Sequence, residues 1–405
     1  MRRPLPYGWV VLGAAFAIIT LGIGALFTLG VFLRPIEEAM GWSRSGISAI
    51  AWLNWVIMGL GSFVAGSLSD RFGTRVVVLA GGGILGLGLV LSSQVTALWQ
   101  FYLTFGVLVG AGVSAFYVPL TVTAIKWFGG RRGLAAGVVS AGNGFGILLL
   151  SPLSRWLINE FDWRVALLIL GDLAWLVVIP AALLIRNSPG EVGQPAGGTP
   201  ARREDSLGAE GVRPVLRSWP FWAIALTHFA CCAAHSGPIF HMVSHAMDHG
   251  VARMAAATIL GVSGFSSIFG RIATGMVADR IGAKPTLLAV LLLQAGAILL
   301  YLFASDLGAL YLLALVFGVG YGGAMPLYAL VTRQYFGERV MGAAYGAVFL
   351  ISCLGMGVGS YAGGFIHDAL GSYQWLFLGS FGIGTMAVVL GLTLRAPAPI
   401  LRPAV

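Results

Sequence analysis

The chain contains 405 residues, of which 58% are hydrophobic and 10% are charged, whereas a soluble domain usually carries about a quarter charged residues. This composition excludes a water-soluble globular fold and predicts an all-α integral membrane protein, because a helix in lipid satisfies its own backbone hydrogen bonds. The formal net charge of +9 does not require a nucleic acid partner, because the basic residues concentrate in alternate loops between apolar runs.

Apolar runs long enough to cross about 30 Å of hydrocarbon recur along the chain, separated by glycine, proline and charged residues. Six predicted spans lie in the first half, at 8–33, 45–68, 75–95, 97–122, 132–157 and 163–185. Six more lie in the second half, at 219–247, 253–278, 284–304, 306–333, 340–366 and 373–394. The first run is too long for a cleaved signal peptide, so we predict twelve retained transmembrane helices.

Residues 186–218 separate the two sets of spans. They are rich in Pro, Gly, Glu and Arg and lack apolar periodicity, which predicts a flexible linker. This linker divides an N-terminal six-helix bundle, at 1–185, from a C-terminal six-helix bundle, at 219–405. Most Lys and Arg residues lie in the linker, at both termini and in the loops after even-numbered spans. The positive-inside rule therefore predicts that both termini and the linker are cytoplasmic.

The loop after the second span of each half carries the same motif. Its residues are Gly66, Asp70, Arg71 and Gly73 in the first half and Gly275, Asp279, Arg280 and Gly282 in the second. The two aspartates are 209 positions apart, and so are the other pairs. A duplication of six helices explains this offset. When two such copies are related by an axis along the membrane normal, the binding site lies between them near the midplane.

The motif is a glycine followed after three residues by Asp-Arg, then one residue, a glycine, one residue and Arg or Lys. It resembles the loop motif of the major facilitator superfamily, and it is present twice here. The resemblance implies the major facilitator fold and transport by alternating access. It also implies that the motif residues hold the cytoplasmic side closed without touching substrate. Gly66 and Gly275 are expected to permit close helix packing whether or not the motif also closes this side.

A second, narrower pattern begins at 7–11 and continues at 127–142, before and within the fifth span. Its core is Arg131 and Arg132, followed after one residue by Leu-Ala, one residue and Gly. It resembles a motif of the monocarboxylate transporters and, in part, of bacterial oxalate and formate exchangers, which implies a gating or structural role for the two arginines. Trp127 stands where that motif has a tyrosine. The alternative is that the small residues only pack the fifth helix.

Arg271 is a charged residue inside the eighth span. It lies eight residues before Asp279, which places it about 12 Å from the helix end. A charge at that depth costs at least about 2.5 to 3.5 kcal/mol and usually marks a functional site, although snorkelling is the alternative. Its counterpart in the first half is Ser62, so the duplicated scaffold does not require the arginine. A planar guanidinium suits a carboxylate, and the family resemblance also implies that this arginine anchors one.

Four further residues are candidates for substrate contact. Tyr117 precedes Pro119, which opens the backbone of the fourth span, and a phenol there can donate to a carboxylate. Tyr321 lies in a glycine-rich run of the tenth span, and the alternative is an ordinary interfacial aromatic. Asn143 and Cys353 fall at the depth of the binding site, where polar contacts between helices are the alternative.

The seventh span contains His228, His235 and His241 around Pro238. A broken helix beside titratable groups is a candidate gate or proton path, although each histidine alone can be a polar residue facing the bundle. We favour His241 for substrate contact, because the family resemblance places a histidine after this helix break. Asp172 is a carboxylate deep in the sixth span, and we expect a structural role because sixth helices pack outside the binding site in this fold.

Two positions depart from the animal monocarboxylate transporters. Ser267 stands where those proteins have an aspartate four residues before the arginine, and Phe27 stands about where they have a lysine on the first helix. Phe27 is therefore a candidate residue lining the substrate-binding site. The oxalate exchangers carry a second basic residue on the eleventh helix, whereas 340–366 contains no Lys or Arg. The single cation Arg271 therefore favours a substrate with a single carboxylate.

The sequence therefore predicts a secondary transporter of small monocarboxylates such as lactate or pyruvate, coupled to a proton because an inside-negative potential opposes anion uptake. An oxalate or formate type of anion exchanger is the alternative. The scarcity of lysine is typical of a bacterial protein, so we expect the cell inner membrane and its lipid bilayer, with the protein a monomer. We expect no enzyme, cofactor or metal, because no catalytic motif is found and the three cysteines lie in apolar spans. A sensor relying on a partner protein remains a further alternative.

Overall fold

The computed structural model describes residues 7–193 and 211–394, and within these ranges the regular secondary structure is helical. Twelve helices are long and apolar enough to cross a membrane, which confirms the predicted all-α architecture. They are α1 (Tyr7–Phe27 continuing as Leu29–Met40), α2 (Arg44–Phe72), α3 (Thr74–Ser92), α4 (Leu98–Trp127), α5 (Arg132–Glu160), α6 (Trp163–Leu183), α7 (Trp219–Asp248), α8 (Arg253–Ile281), α9 (Ala283–Phe303), α10 (Leu307–Phe336), α11 (Met341–Leu370) and α12 (Gln374–Thr393).

Several helices extend beyond the predicted spans. For example, α4 continues to Trp127 and α11 to Leu370, whereas the predicted spans end at 122 and 366. The reason is that an apolar run marks the part of a helix inside hydrocarbon, and the helix itself continues until a residue stops it. At the end of α2 that residue is Gly73, and at the end of α8 it is Gly282, with φ of 87° and 96°. Only glycine adopts such angles readily, which explains the last glycine of the repeated motif.

The outer surface of the bundle is apolar and its interior contains polar groups. Large hydrophobic side chains such as Leu176 and Phe303 are exposed, whereas Asn54, Gln294 and Arg271 are buried. Soluble proteins show the opposite distribution. The distribution therefore agrees with a multi-pass membrane protein whose polar residues face other helices.

The backbone of α4 is irregular where it approaches the centre of the bundle. It is π-helical over Tyr102–Val109 and turns at 115–116 before Tyr117–Trp127 continues as α-helix. Pro119 explains the turn, because proline has no N–H to bond the carbonyl of Ala115 and its ring crowds that carbonyl. The break places Tyr117 at the first position of the new helical segment.

The two halves pack closely at the end of the bundle that contains the repeated motif, which we call the motif end. A Cβ atom on Gly66 in α2 would overlap the carbonyl oxygen of Gly342 in α11, and one on Gly275 in α8 would overlap that of Gly133 in α5. These two helix pairs are equivalent by the 209-residue offset. Close approach of this kind requires glycine, so the motif end is closed.

The equivalence continues deeper into the bundle. A Cβ atom on Gly346 would lie 2.6 Å from the carbonyl oxygen of Ser62, and one on Gly137 would overlap that of Arg271. The backbones at Ser62 and Arg271 therefore occupy matching positions in the two halves, as the sequence offset predicts. Close contacts between the halves extend as far as Gly59 beside Cys353 and Gly144 beside Ile268.

The predicted linker is described only in part. Its described parts contain a 3-10 turn at Pro189–Val192 and a short helix at Val212–Arg217, and Asn187 accepts a hydrogen bond from the N–H of Thr74 at 2.7 Å. Residues 194–210, together with 1–6 and 395–405, lie outside the described residues. Both termini therefore lie outside the described residues, and the cytoplasmic orientation of the termini and linker stays a prediction.

Candidate functional site

Arg271 lies on α8 at the interface between the halves, with only 7% of its surface exposed. Its Nη1 donates a hydrogen bond of 2.6 Å to Oγ of Ser140 on α5. The hydroxyl of Tyr117 on α4 donates to the same oxygen at 3.2 Å. A serine oxygen has two lone pairs and can accept both bonds. Helices from both halves therefore hold the guanidinium in one position.

The charge of Arg271 has no acidic partner among the residues that the structure describes. The ion pairs found there involve other groups, such as His367 with Asp248, and Nε of Arg271 is buried without a hydrogen-bond partner. A buried charge without a counter-ion is strongly unfavourable, and a missing partner of a buried pair typically costs about 3–5 kcal/mol. An anion bound at this position would supply both the charge and the acceptor.

Aromatic side chains from the second half surround Tyr117. Its ring centroid lies 5.2 Å from Phe349 and 6.4 Å from Tyr345, both on α11. Tyr345 is fully buried and is close enough to Tyr117 and Arg271 for electrostatic interactions with both. A further phenol therefore lies near Arg271 in an aromatic environment.

Ser140 and Tyr345 were not predicted from the sequence. Both lie in stretches rich in small residues, Gly137–Gly142 and Gly342–Gly346, which indicate helix packing and give no sign of polar function. The repeat was the available signal for their helices, because Gly137 of α5 and Gly346 of α11 occupy equivalent positions beside Arg271 and Ser62.

Tyr321 of α10 stacks on His235 of α7, with ring centroids 5.4 Å apart and an angle of 28°. The structure thus places this predicted tyrosine next to a histidine that is itself near Arg271. Asn143 lies one turn beyond Ser140 on α5, and its Oδ1 is buried without a hydrogen-bond partner. Both residues stay predicted contacts for substrate.

Three other predicted residues have their described contacts elsewhere. Phe27 packs against Trp55 with ring centroids 5.9 Å apart, within the first half. Cys353 is buried and lies eight residues beyond Tyr345 on α11, about 12 Å along the helix. His241 lies beyond Pro238, and its ring nitrogens are 3.4 Å from the hydroxyl of Tyr373 and from a backbone oxygen of α11. Their roles in binding stay predictions.

The two motif aspartates bridge the halves at the motif end. Asp70 of α2 accepts hydrogen bonds from the N–H groups of Gly342 and Ala343, at 3.1 and 2.9 Å, where α11 begins. Asp279 of α8 accepts from those of Gly133 and Leu134, at 2.6 and 2.9 Å, where α5 begins. We call these four bonds the latch. A helix N-terminus has free N–H groups and a positive dipole end, so a carboxylate is well placed there.

The arginines of the motifs lie at the surface of the motif end. Arg71 contacts the ring of Phe72, 5.0 Å from its centroid, and Arg131 and Arg280 are exposed, whereas Arg132 is partly buried at the start of α5. Asp172 is also exposed, on the outer face of α6. Its structural role stays a prediction.

The family of the chain follows from comparison with known proteins. The family model described as Major Facilitator Superfamily matches residues 10–360 and 274–404. Two solved structures share the fold: the proton:xylose symporter XylE, with a TM-score of 0.76 and 13% identity over 95% of this chain and 94% of that one, and FucP in the outward conformation, with 0.71 and 14% over 94% and 97%. The chain belongs to the Major Facilitator Superfamily, and it is a transporter rather than an enzyme.

Monocarboxylate transporters are among the relatives of the chain. Monocarboxylate transporter 13 of Bos taurus is 31% identical over 390 residues, covering 95% of this chain and 89% of the relative. Monocarboxylate transporter 11 of Homo sapiens is 31% identical over 97% of this chain and 84% of the relative. Both resemblances drawn from the sequence motifs are thereby confirmed at the level of family.

Proposed function

We propose that the chain transports small monocarboxylates such as lactate or pyruvate together with a proton, by alternating access across the cell inner membrane. One observation carries the proposal. Arg271 is a buried cation at the interface between the halves, without a carboxylate partner among the described residues. A monocarboxylate bound to it would neutralise the charge and occupy the free Nε donor. The printed names of the relatives favour the same class of substrate.

The surroundings of Arg271 favour a substrate with one carboxylate and a small apolar part. Tyr117, Phe349 and Tyr345 present aromatic surface, which suits an aliphatic group. The helix that carries Tyr345 and Phe349, α11, contains no Lys or Arg, so it offers no second cation for a dicarboxylate such as oxalate. Proton coupling would make the cargo neutral and remove the opposition of an inside-negative potential.

The test is uptake of radiolabelled L-lactate into proteoliposomes that contain the purified protein, with an imposed inward pH gradient. We expect lactate to accumulate in proportion to the gradient and an uncoupler to abolish accumulation. Empty liposomes and liposomes preloaded with oxalate serve as controls. If lactate enters only in exchange for internal oxalate and ignores the gradient, the chain is an anion exchanger and the proton-coupled proposal fails.

The exchanger alternative has a specific observation in its favour. Positions 27 and 267 carry Phe27 and Ser267, where the animal transporters resembled here have a lysine and an aspartate, and Ser267 bonds only a backbone oxygen, that of Gly264, at 2.7 Å. The usual candidates for a proton carrier are therefore missing. Symport requires a different titratable group near Arg271.

Removing the hydroxyl that supports Arg271 gives a smaller, graded prediction. In Tyr117→Phe the bond to Ser140 is lost, so the guanidinium is held less firmly, and we expect the KM for lactate to rise about three- to tenfold, the effect of one hydrogen bond of about 0.5–1.5 kcal/mol. Tyr102→Phe is the matched control, because its hydroxyl bonds the carbonyl of Gly46 at 2.8 Å, away from Arg271. An equal KM in the native protein and Tyr117→Phe would contradict the assigned geometry.

A further inference from the structure

The six histidines of the chain lie on α7, at the residue after its end and on α11. They are His228, His235, His241, His245, His249 and His367. Histidine is the side chain whose usual pKa lies nearest to neutral pH, so it is the first candidate for a proton carrier. His235 is connected to Arg271 through α10, because its ring stacks on Tyr321 and the adjacent Gly322 packs against Ser267, one turn before Arg271 on α8. The positive charge of Arg271 acts on His235 at this position.

The tautomer of His235 is fixed by its neighbours. Its Nδ1 lies 2.8 Å from the backbone oxygen of Cys231, and a carbonyl oxygen can only accept. Nδ1 therefore carries a hydrogen in both the neutral and the charged ring, and Nε2 is the atom that gains and loses a proton. The same carbonyl also accepts from Nε2 of Gln294 on α9, at 3.2 Å, which holds the acceptor in place.

His235 is the candidate proton carrier among the groups that surround it. On its own helix these are His228 and the Cys231 thiol, α9 contributes Gln294, α10 contributes Tyr321 and α8 contributes Arg271. At this level α11 and α12 present Gly359 and Leu376, which are uncharged. Among the described residues no carboxylate is a partner of His235, and Asp172 is exposed on α6. His228 is fully enclosed, stacked 3.8 Å from Tyr328 without a partner for either ring nitrogen.

Electrostatics links this histidine to substrate. Burial opposes a positive charge on His235, and the nearby charge of Arg271 opposes it further in a poorly screened environment. A carboxylate bound to Arg271 cancels this second contribution, so Nε2 accepts a proton more readily than it does beside an empty Arg271. By linkage, a proton on His235 favours the bound carboxylate to the same extent.

We propose that His235 carries the transported proton and that a carboxylate on Arg271 promotes its protonation. This inference rests on the proposed monocarboxylate transport. One proton then moves with one monocarboxylate, and the cargo has no net charge. The release of the carboxylate restores the repulsion and expels the proton from Nε2, so neither species crosses alone.

The experiment compares the native protein with His235→Asn in proteoliposomes. The asparagine amide places an N–H where Nδ1–H was, so the bond to Cys231 can persist while the titratable nitrogen is removed. His249→Asn is the matched control, because His249 makes the same contact, Nδ1 to the backbone oxygen of His245 at 2.9 Å, but is exposed. Three readouts are needed: lactate counterflow, accumulation driven by a pH gradient, and accumulation driven by a potassium diffusion potential.

In the native protein and His249→Asn we expect counterflow, about tenfold accumulation per pH unit and no response to the potential. In His235→Asn we expect counterflow to continue, accumulation by the pH gradient to be lost, and an inside-positive potential to drive uptake because the cargo is now an anion. Accumulation by the pH gradient that persists in His235→Asn overturns the assignment. Absence of counterflow in the native protein overturns the proposed substrate instead, and loss of counterflow confined to His235→Asn overturns the assignment in favour of a structural role.

Discussion

Replacing Arg271 with alanine is expected to weaken lactate binding about 100-fold or more and to stop transport. The reason is the loss of charge-assisted hydrogen bonds worth about 1.5–3 kcal/mol each. The protein should still fold, because the variant removes a buried charge that lacks an acidic partner among the described residues. We even expect the Tm of the ligand-free Arg271→Ala protein to equal or exceed that of the native protein.

The measurement is the Tm of the purified protein with and without lactate. Lactate at about 100 times its Kd should stabilise the native protein by about 2.7 kcal/mol and leave Arg271→Ala unchanged. Arg271→Lys keeps the charge but loses the planar pair of donors, so we expect weakened binding that is still detectable. Arg155→Ala removes an exposed arginine of α5 and controls for the loss of a basic residue. A native-like lactate shift in Arg271→Ala would remove the anchor from the proposal.

Replacing Gly275 with valine is expected to prevent closure of the motif end and to reduce transport at least about fivefold. A side chain there would overlap the carbonyl oxygen of Gly133, which belongs to backbone and cannot rotate away. Overpacking of this kind costs about 1–3 kcal/mol, and only the closed arrangement bears that cost. The equilibrium therefore shifts towards states open at the motif end, and the Asp279 side of the latch is lost with them.

Accessibility of a reporter cysteine measures this shift. Ala136 lies between Gly133 and Gly137 on α5 and is fully buried, so Ala136→Cys in a background without the natural cysteines should react with a membrane-impermeant thiol reagent only when the motif end opens. Gly261→Val is the control on the same helix, because an added Cβ there meets nothing within 4 Å. Equal labelling in the Gly275→Val and Gly261→Val backgrounds would show that this approach does not control closure.

The sequence predicted the number of helices, because the length of each hydrophobic run determines whether it can span the membrane. The depth of Arg271, derived from a rise of 1.5 Å per residue from Asp279, stays a prediction. The sequence also predicted the motif glycines, whose close contacts and φ angles give a physical reason for each. These properties are local or repeated, so a single sequence contains them.

The partners of Arg271 were not predictable in the same way. Ser140 and Tyr345 reach it only because α5 and α11 are held against α8 and α2 by glycine contacts between the halves, and one sequence does not specify that register. The same limit applies to the histidines. Pro238 marks a break in α7, but whether His235 or His241 lies beside the arginine depends on how α7 packs on α8 and α10.

The symmetry of the latch indicates how the asymmetric position around Arg271 arose. Asp70 caps a helix of the second half and Asp279 caps a helix of the first, so a single isologous contact occurs twice about the pseudo-twofold axis, as in a homodimer. A six-helix ancestor pairing with its own copy would have formed both contacts from one set of residues. After fusion into one chain, equivalent positions could diverge in sequence. Ser62 and Arg271 differ in this way, although their backbones still make equivalent contacts with glycine. Symmetry at the closing end and asymmetry at the binding position are thus two results of the same duplication.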